Sequence, residues 1–409
     1  MKQATANPPS SEPVPARSTP EGATRRIYLA LTFLAIALSV IGAGHLYVAK
    51  RLKELPGVEA PWQGALGLLV GLLGVLAIAP RIARRVLGMR DVRPVAWVGA
   101  IWMGVFFYLL HLFGLSDLAL LALGIDREPH AATQAVAVSL ATGVLVLVGI
   151  LSMATGPRVR RAQIALPGWP CALDGFRIVQ ISDVHLSLTA GRRFAEKITR
   201  LCNGLDPDLI AVTGDLVDGG VHELAEAVAP LAELRARHGV FFVTGNHEHY
   251  SGAGKWARRV TELGMKVLRN RHVTIGEQGA AFHLAGTNDR MSGRYRAGGG
   301  EDLPAALEGA RPGLPVVLLA HNPATFKDAA GRGVDLQLSG HTHGGQLWPF
   351  GLLVRLQTRF IAGLYRLGHS QLYVSRGTGY WGPPMRVGAP AEITEIEIKR
   401  LADTTSPLS

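Results

Sequence analysis

The sequence predicts a layered α/β domain preceded by an all-α transmembrane bundle of about four helices. Two observations predict it: the chain falls into halves of unlike composition, and short apolar runs in the second half end in clusters of Asp, Asn and His. Over all 409 residues 48% are hydrophobic and 18% charged, but these averages hide the division. Up to about Met153 the chain is a series of apolar stretches with few acids, and beyond it the composition is that of an ordinary soluble α/β protein.

Residues 1–24 are rich in Pro, Ser, Thr and Ala, cannot bury a core, and are expected to be a disordered tail. Four spans are expected over 27–49, 64–80, 95–115 and 131–155, within a transmembrane region of 25–157. Each is near or above the ~17 residues that a hydrocarbon core of about 30 Å requires. Residues 1–157 hold 13 Lys/Arg against 8 Asp/Glu, and these basic residues flank the apolar spans. The net charge of +11 therefore points to a membrane surface, and no basic helix or aromatic-interleaved patch points to nucleic acid.

The side of the membrane follows from the Lys/Arg bias of short loops. Arg25 and Arg26 precede the first span. Arg81, Arg84, Arg85, Arg90 and Arg93 lie between the second and third, and Arg158, Arg160 and Arg161 follow the fourth. The intervening loops carry Lys50, Arg51 and Lys53, and Arg127 alone. Four spans with both termini inside fit this pattern best and place the C-terminal domain in the cytoplasm. Export on the Thr24-Arg25-Arg26-Ile27-Tyr28-Leu29 segment is the alternative.

After a linker at 158–174, residues 175–400 alternate short apolar runs with amphipathic segments, and 401–409 form a tail. Arg177–Ile181, Leu209–Thr213 and Val240–Val243 read as buried strands, with Ala190–Asn203 and His222–Arg235 as helices between them. Ala281–Ala285, Pro315–Leu319, Val334–Leu338, Gln371–Val374 and Ile393–Ile398 read as further strands. Cys171 and Cys202 are 31 positions apart without a CxxC spacing, so they form neither a thiolate metal site nor a disulfide framework.

Chemistry collects at the strand ends. Asp183-Val184-His185 follows the first run, Gly214-Asp215-Leu216-Val217-Asp218 the second, and Gly245-Asn246-His247-Glu248 the third. His321 follows Pro315–Leu319, and Gly340-His341-Thr342-His343-Gly344-Gly345-Gln346 follows Val334–Leu338. Carboxylate, imidazole and amide oxygen are the ligands of hard and borderline divalent cations. One Asp-x-His would mean little; four such clusters and His321, in order over some 160 residues, mean a metal site.

The order D-x-H, G-D-x-x-D, G-N-H-E, H, G-H-x-H resembles that of the calcineurin-like metallophosphoesterase superfamily over roughly residues 175–400. The form GHTHGGQ behind a membrane anchor is similar to a branch of membrane-associated bacterial phosphodiesterases. The resemblance implies a four-layer sandwich around a βαβαβ metal-binding core, sited on the bacterial inner membrane. It also implies two divalent cations, Mn²⁺ being usual and Fe or Zn²⁺ alternatives. Asp183, His185, Asp215 and His343 would hold one, and Asp215, Asn246, His321 and His341 the other. His247 would protonate the leaving group, with Asp218 accepting from its second nitrogen. The implied reaction is hydrolysis of a phosphodiester or pyrophosphate bond by metal-activated water.

His249 is a further candidate for the pocket. Leu347–Leu367 is apolar and aromatic, with Arg355, Arg359 and Arg366 near helical spacing, and reads either as an interfacial segment admitting a lipid-linked phosphate or as a lid of the soluble domain. The substrate is expected to be a lipid-linked nucleotide such as UDP-diacylglucosamine, which some relatives of that branch cleave, or else a soluble diester. A membrane sensor whose phosphoesterase-like domain only binds a ligand is the rival from another class. No oligomeric state follows from the sequence.

Overall fold

The computed structural model of the chain describes residues 20–87, 92–277, 279–294 and 299–401. Four helices, α1 (Pro20–Leu52), α2 (Ala60–Leu87), α3 (Arg93–Ala122) and α4 (Ala131–Ala154), are long and apolar enough to cross a membrane. Helix α1 begins at Pro20, so five residues of the expected tail are helical; residues 1–19, Arg90 and 402–409 lie outside the described residues. Helix α2 runs on through Pro80, where the second span was expected to end. A proline missing one backbone bond is tolerated in such helices because neighbours satisfy the freed group.

The helices pack through Val48, Ala49, Val70, Trp102, Leu109 and Phe113. One end is fastened by polar groups. The Asp117 carboxylate accepts from Arg51, from Tyr47 Oη at 2.5 Å and from Gln134 Nε2 at 2.8 Å, while Arg127 reaches Glu54 at 2.7 Å. These groups sit at the end of α1 and the start of α4, opposite the end of α4 that enters the next domain.

That domain holds two six-stranded sheets. The first contains β1 (Arg158–Leu166), β2 (Phe176–Ile181), β3 (Leu209–Thr213), β4 (Val240–Val243) and β5 (Lys266–Val267). The second contains β6 (Arg271–Glu277), β7 (Ala280–Gly286), β8 (Val316–Leu319), β9 (Leu336–Ser339), β10 (Gly363–Leu367) and β11 (Ser370–Val374). The last strand, β12 (Glu392–Arg400), returns to the first sheet, giving the orders β1-β12-β2-β3-β4-β5 and β10-β11-β9-β8-β7-β6. The segment expected to be a linker is thus largely strand β1, paired parallel to β12. Its Arg158, Arg160 and Arg161 face outward and only Ile164 and Leu166 are fully buried, which disguised it.

The sheets stack face to face. Ile178, Ala211, Phe241 and Ile396 of one meet Phe282, Leu284, Val317 and Leu336 of the other in one apolar cluster. Alternate residues Val179, Ile210 and Phe242 point the other way. They pack under α5 (Arg192–Gly204), α6 (Val221–Val228) and, beyond the short α7 (Asn246–Ser251), α8 (Ala253–Glu262). Ala285 and Leu318 of the second sheet pack under α9 (Leu303–Leu307) and α10 (Phe326–Ala330). The result is the four-layer α/β/β/α sandwich. Because β2, β3 and β4 run parallel, as do β8 and β9, their carboxyl ends open toward one rim, where ligand sites of such sheets form.

Candidate metal centre

Every motif residue sits just beyond one of those strand ends. Asp183 and His185 follow β2, Asp215 and Asp218 follow β3, Asn246 and His247 start α7 after β4, His321 follows β8, and His341 and His343 follow β9. The side chains meet in three groups: Asp183, His185 and His343; Asp215, His321 and His341; and His185, Asp218 and His247. Asp215 joins the first two, its Oδ2 lying 3.1 Å from His321 Nε2 and 3.9 Å from His185 Nε2.

The donor set fits two cations. Asn246 Oδ1 is buried without a hydrogen-bond partner, a cost tolerated in native structures only where something else satisfies the oxygen. His185 Nε2 faces His343 Nε2 at 3.0 Å, and His341 Nδ1 faces His321 Nε2 at 3.2 Å. Each close pair of nitrogens can share at most one proton or one metal. Two tautomers are set from behind: His321 donates from Nδ1 to the Thr213 carbonyl at 2.8 Å, and His185 from Nδ1 to Asp218 Oδ1 at 2.7 Å. In the neutral ring both arrangements place the free lone pair on Nε2.

Charge is arranged to match. Burial works to lower the His185 pKa, but Asp218, Asp215 and Asp183 hold it up at about 9. Asp218 stays well below the usual carboxylate range: burial opposes this, and His185 and His247 outweigh it. Burial, with His185 and Arg386 beside it, drives His343 well down and keeps it neutral, the form that can ligate.

The backbone bends hard to present these groups. Asp183, His185, Asp215, His341 and His343 all have positive φ, between 49° and 73°. Such a conformation costs a non-glycine residue about 1–3 kcal/mol and persists where the surroundings over-determine it. Gly345 (φ 86°) supplies a sharp turn, and a Cβ there would run into Gly351 of the following helix.

The groups open into a cleft of about 560 Å³ lined by Asp215, Asp218, Asn246, His247, Tyr250 and Trp381, among others. His247 Nδ1 lies 2.6 Å from Asp218 Oδ1, so one carboxylate oxygen serves two histidines. His249 does not line the cleft. On α7 the positions three and four after His247, Tyr250 and Ser251, share its face, whereas His249 Nε2 bonds Thr244 Oγ1 at 3.2 Å. Arg355 and Arg359 are exposed and are not among the lining residues. The segment containing them is helix α11 (Phe350–Gln357) followed by β10, so Arg366 lies on a strand instead of continuing a helical stripe.

Several contributors escaped the motif reading. Glu248 is buried and accepts from the backbone of Gly245 at 2.7 Å, Asp215 at 3.0 Å and Leu216 at 2.7 Å, lacing two motif loops together. Burial and Asp215 push its pKa up to about 7. Gln346, the last residue of GHTHGGQ, bonds the backbone N and O of Trp381, both at 2.9 Å. Arg386 is fully buried against His343. Glu248 and Gln346 lie inside the motifs and could have been suspected; Arg386 and Trp381 stand far downstream with no local signal.

A family model described as calcineurin-like phosphoesterase matches residues 176–345. A zebrafish (Danio rerio) transmembrane protein with metallophosphoesterase domain is 33% identical over 92% of this chain and 91% of its own length. The bovine (Bos taurus) protein of the same description is 39% identical over 66% of this chain and 64% of its own length. An uncharacterized metallophosphoesterase of Helicobacter pylori is 36% identical over 54% of this chain and 59% of that one. Such relatives therefore occur in vertebrates as well as bacteria.

Proposed function

We propose, from the premise that the chain belongs to the calcineurin-like metallophosphoesterases, that it is a membrane-anchored binuclear phosphoesterase cleaving a phosphodiester or pyrophosphate bond. The observation that carries this is Asp215 Oδ2 standing between His321 and His185, with Asn246 Oδ1 left unpartnered beside them. Asp183, His185, Asp215 and His343 would hold one cation, and Asp215, Asn246, His321 and His341 the other. Two divalent ions, Mn²⁺ by preference with Fe or Zn²⁺ as alternatives, would supply Lewis acidity to the phosphoryl oxygens and a nucleophilic water at neutral pH.

The chain's own part is orientation and proton transfer. His185 and His321 are held in the ligating tautomer by Asp218 and the Thr213 carbonyl. His247 faces the cleft, its Nδ1 proton on Asp218, so its Nε2 proton can pass to the departing oxygen as that oxygen gains charge. Tyr250 and Trp381 stand at the mouth, with ring centroids 5.2 and 6.0 Å from that of His247.

A lipid-linked substrate such as UDP-diacylglucosamine is the reading the surroundings favour. Trp348, Leu352, Leu353 and Leu356, in the segment that follows the His341–His343 loop, are exposed, Leu356 at 84%, while Phe350 packs edge-on to Phe107 of α3. An apolar rim continuous with membrane helices can take acyl chains while the phosphates enter the cleft. The loop charges described above support a cytoplasmic face of a bacterial inner membrane.

The test is Mn²⁺-dependent hydrolysis by detergent-purified full-length protein on a generic phosphodiester, its monoester and UDP-diacylglucosamine, with Asp215→Asn as control. We expect the lipid nucleotide to be cleaved best and the control to fall to background. Cleavage of the diester alone would exchange the lipid reading for a soluble substrate. Activity no higher than the control would sink the enzyme reading and favour the ligand-binding sensor.

A further inference from the structure

The loop between β11 and β12 does something unusual for a soluble domain: it enters the transmembrane bundle. Met385 is fully buried among Tyr108 of α3, Leu347, and the partly buried Leu145, Val146 and Ile150 of α4. Room for it exists because both helices carry glycine where it lands. A Cβ at Gly104 would coincide with the Met385 thioether, and one at Gly149 would stand 2.8 Å from Met385 Cβ and 3.1 Å from Val387 Cγ2. The next residue closes the joint, the Arg386 backbone N–H donating to the Gly149 carbonyl at 3.1 Å.

The Arg386 side chain points the other way, into the metal centre, and is 1% exposed. Its Nε donates to the Gly379 carbonyl at 2.8 Å. One terminal nitrogen donates to the carbonyls of Arg376 at 2.6 Å and of His343 and Ala389 at 3.1 Å, and the other lies 3.1 Å from His343 Nδ1. The same loop holds the first ligand strand, Thr378 N bonding Ser182 O at 2.7 Å and Gly379 N bonding Asp183 O at 2.9 Å. One residue thus touches helix α4 with its backbone and a proposed metal ligand with its side chain.

We infer that Arg386 is a positioning residue through which the seating of Met385 between Gly104 and Gly149 sets the affinity of the Asp183–His185–His343 site for its cation. This rests on the proposed ligand assignment. It makes the membrane helices part of the catalytic centre and not only an anchor: a change in how α3 and α4 pack would move His343. None of the hydrogen bonds given above joins the loop to His321 or His341 of the second group, which is therefore expected to keep its cation.

The experiment counts Mn²⁺ bound per full-length chain by equilibrium dialysis in detergent, with no substrate present. Wild type is expected to bind two. Gly149→Ala forces Met385 out of its seat from a helix position remote from the ligands. It should weaken one site by about 10- to 100-fold, as loss of support behind a ligand does, and leave the other unchanged. Arg386→Gln should weaken the same site. Gly149→Ala combined with Met385→Gly, which removes the Cβ that the new methyl group meets, should restore two. Two sites of wild-type affinity in both single variants would overturn the inference. Equal loss at both sites, or no rescue in the double variant, would also overturn it, because general damage would then be the cause. Wild-type protein binding fewer than two Mn²⁺ would overturn the ligand assignment and this inference with it.

Discussion

The two proposed metal groups are built from the same residue types but held in different ways. His321 in the second group is fixed by a backbone carbonyl at the end of β3, so the sheet itself sets it. In the first group His185 leans on the Asp218 carboxylate, and His343 is held through its backbone carbonyl by the Arg386 guanidinium, both of them side chains with other duties. Asp218 also serves His247, and Arg386 is joined to the membrane helices. A group held by backbone is as rigid as its fold, whereas a group held by charged side chains can be tuned by what those side chains touch. The first group is therefore where catalysis, protonation and membrane packing meet.

The largest expected effect separates metal binding from proton transfer at that meeting point. His247→Ala should cut turnover by about 10²–10⁴-fold, the range of general acid–base catalysis, while both cations stay bound, because His185 keeps Asp218 as its partner. The loss should shrink for a substrate with a good leaving group such as nitrophenolate, which needs no proton. Comparing the two substrates in steady-state kinetics, with metal content measured alongside, checks it. Metal lost from the first group in this variant would mean that His247 is a ligand and that the two duties of Asp218 are not separable.

How much of this could be read beforehand follows the burial of each part. The central strands β2, β3, β4, β7, β8, β9, β11 and β12 announce themselves as apolar runs because both of their faces are covered. The four strands that were missed, β1, β5, β6 and β10, are the four outer strands of the two sheets. Arg158, Arg160 and Arg161 on β1 and Arg271 and Glu277 on β6 are what an edge carries to discourage further pairing, and they erase the apolar pattern. The site divides similarly. Ligands at strand ends are legible because each lies next to its strand in sequence. The positive φ of five of them, and the reach of Arg386 across 43 positions to His343, arise only when distant segments pack. His249 shows the converse, since adjacency to His247 says nothing once a helix turns successive residues to different faces.

A smaller and graded effect is expected from pH. In metal-free protein His185 is protonated up to about pH 9, and ligation requires the neutral ring. Mn²⁺ affinity at the first group should therefore rise by about tenfold per pH unit up to about pH 9 and level off above it. Stability of the metal-free fold runs the opposite way. A raised folded pKa contributes stability that is full below the unfolded value of about 6.5 and disappears as pH passes 9. Saturating Mn²⁺ should reverse that trend, because it selects the neutral form. Dialysis and thermal melts across pH 6–10 would show it, and a pH-independent Mn²⁺ affinity would contradict the His185–Asp218 account.

The smallest effect touches neither group. Arg355 and Arg359 stand beside the apolar rim and, on the interfacial reading, meet anionic headgroups, each basic residue near such a surface contributing about 1 kcal/mol. Reversing both to Glu should raise KM for a lipid-linked substrate in anionic vesicles by about 10- to 100-fold at low salt. It should leave kcat, Mn²⁺ stoichiometry and hydrolysis of a soluble diester as they were. Added salt should erase the difference, since exposed charges are screened over about 10 Å at 0.1 M ionic strength. If the double variant handles both substrates like wild type, then α11 is a lid of the soluble domain, and the route by which the membrane influences the centre narrows to the Met385–Arg386 joint. If soluble and lipid substrates suffer alike, the two arginines act on the cleft itself, and the division between a metal centre and a membrane-facing rim fails.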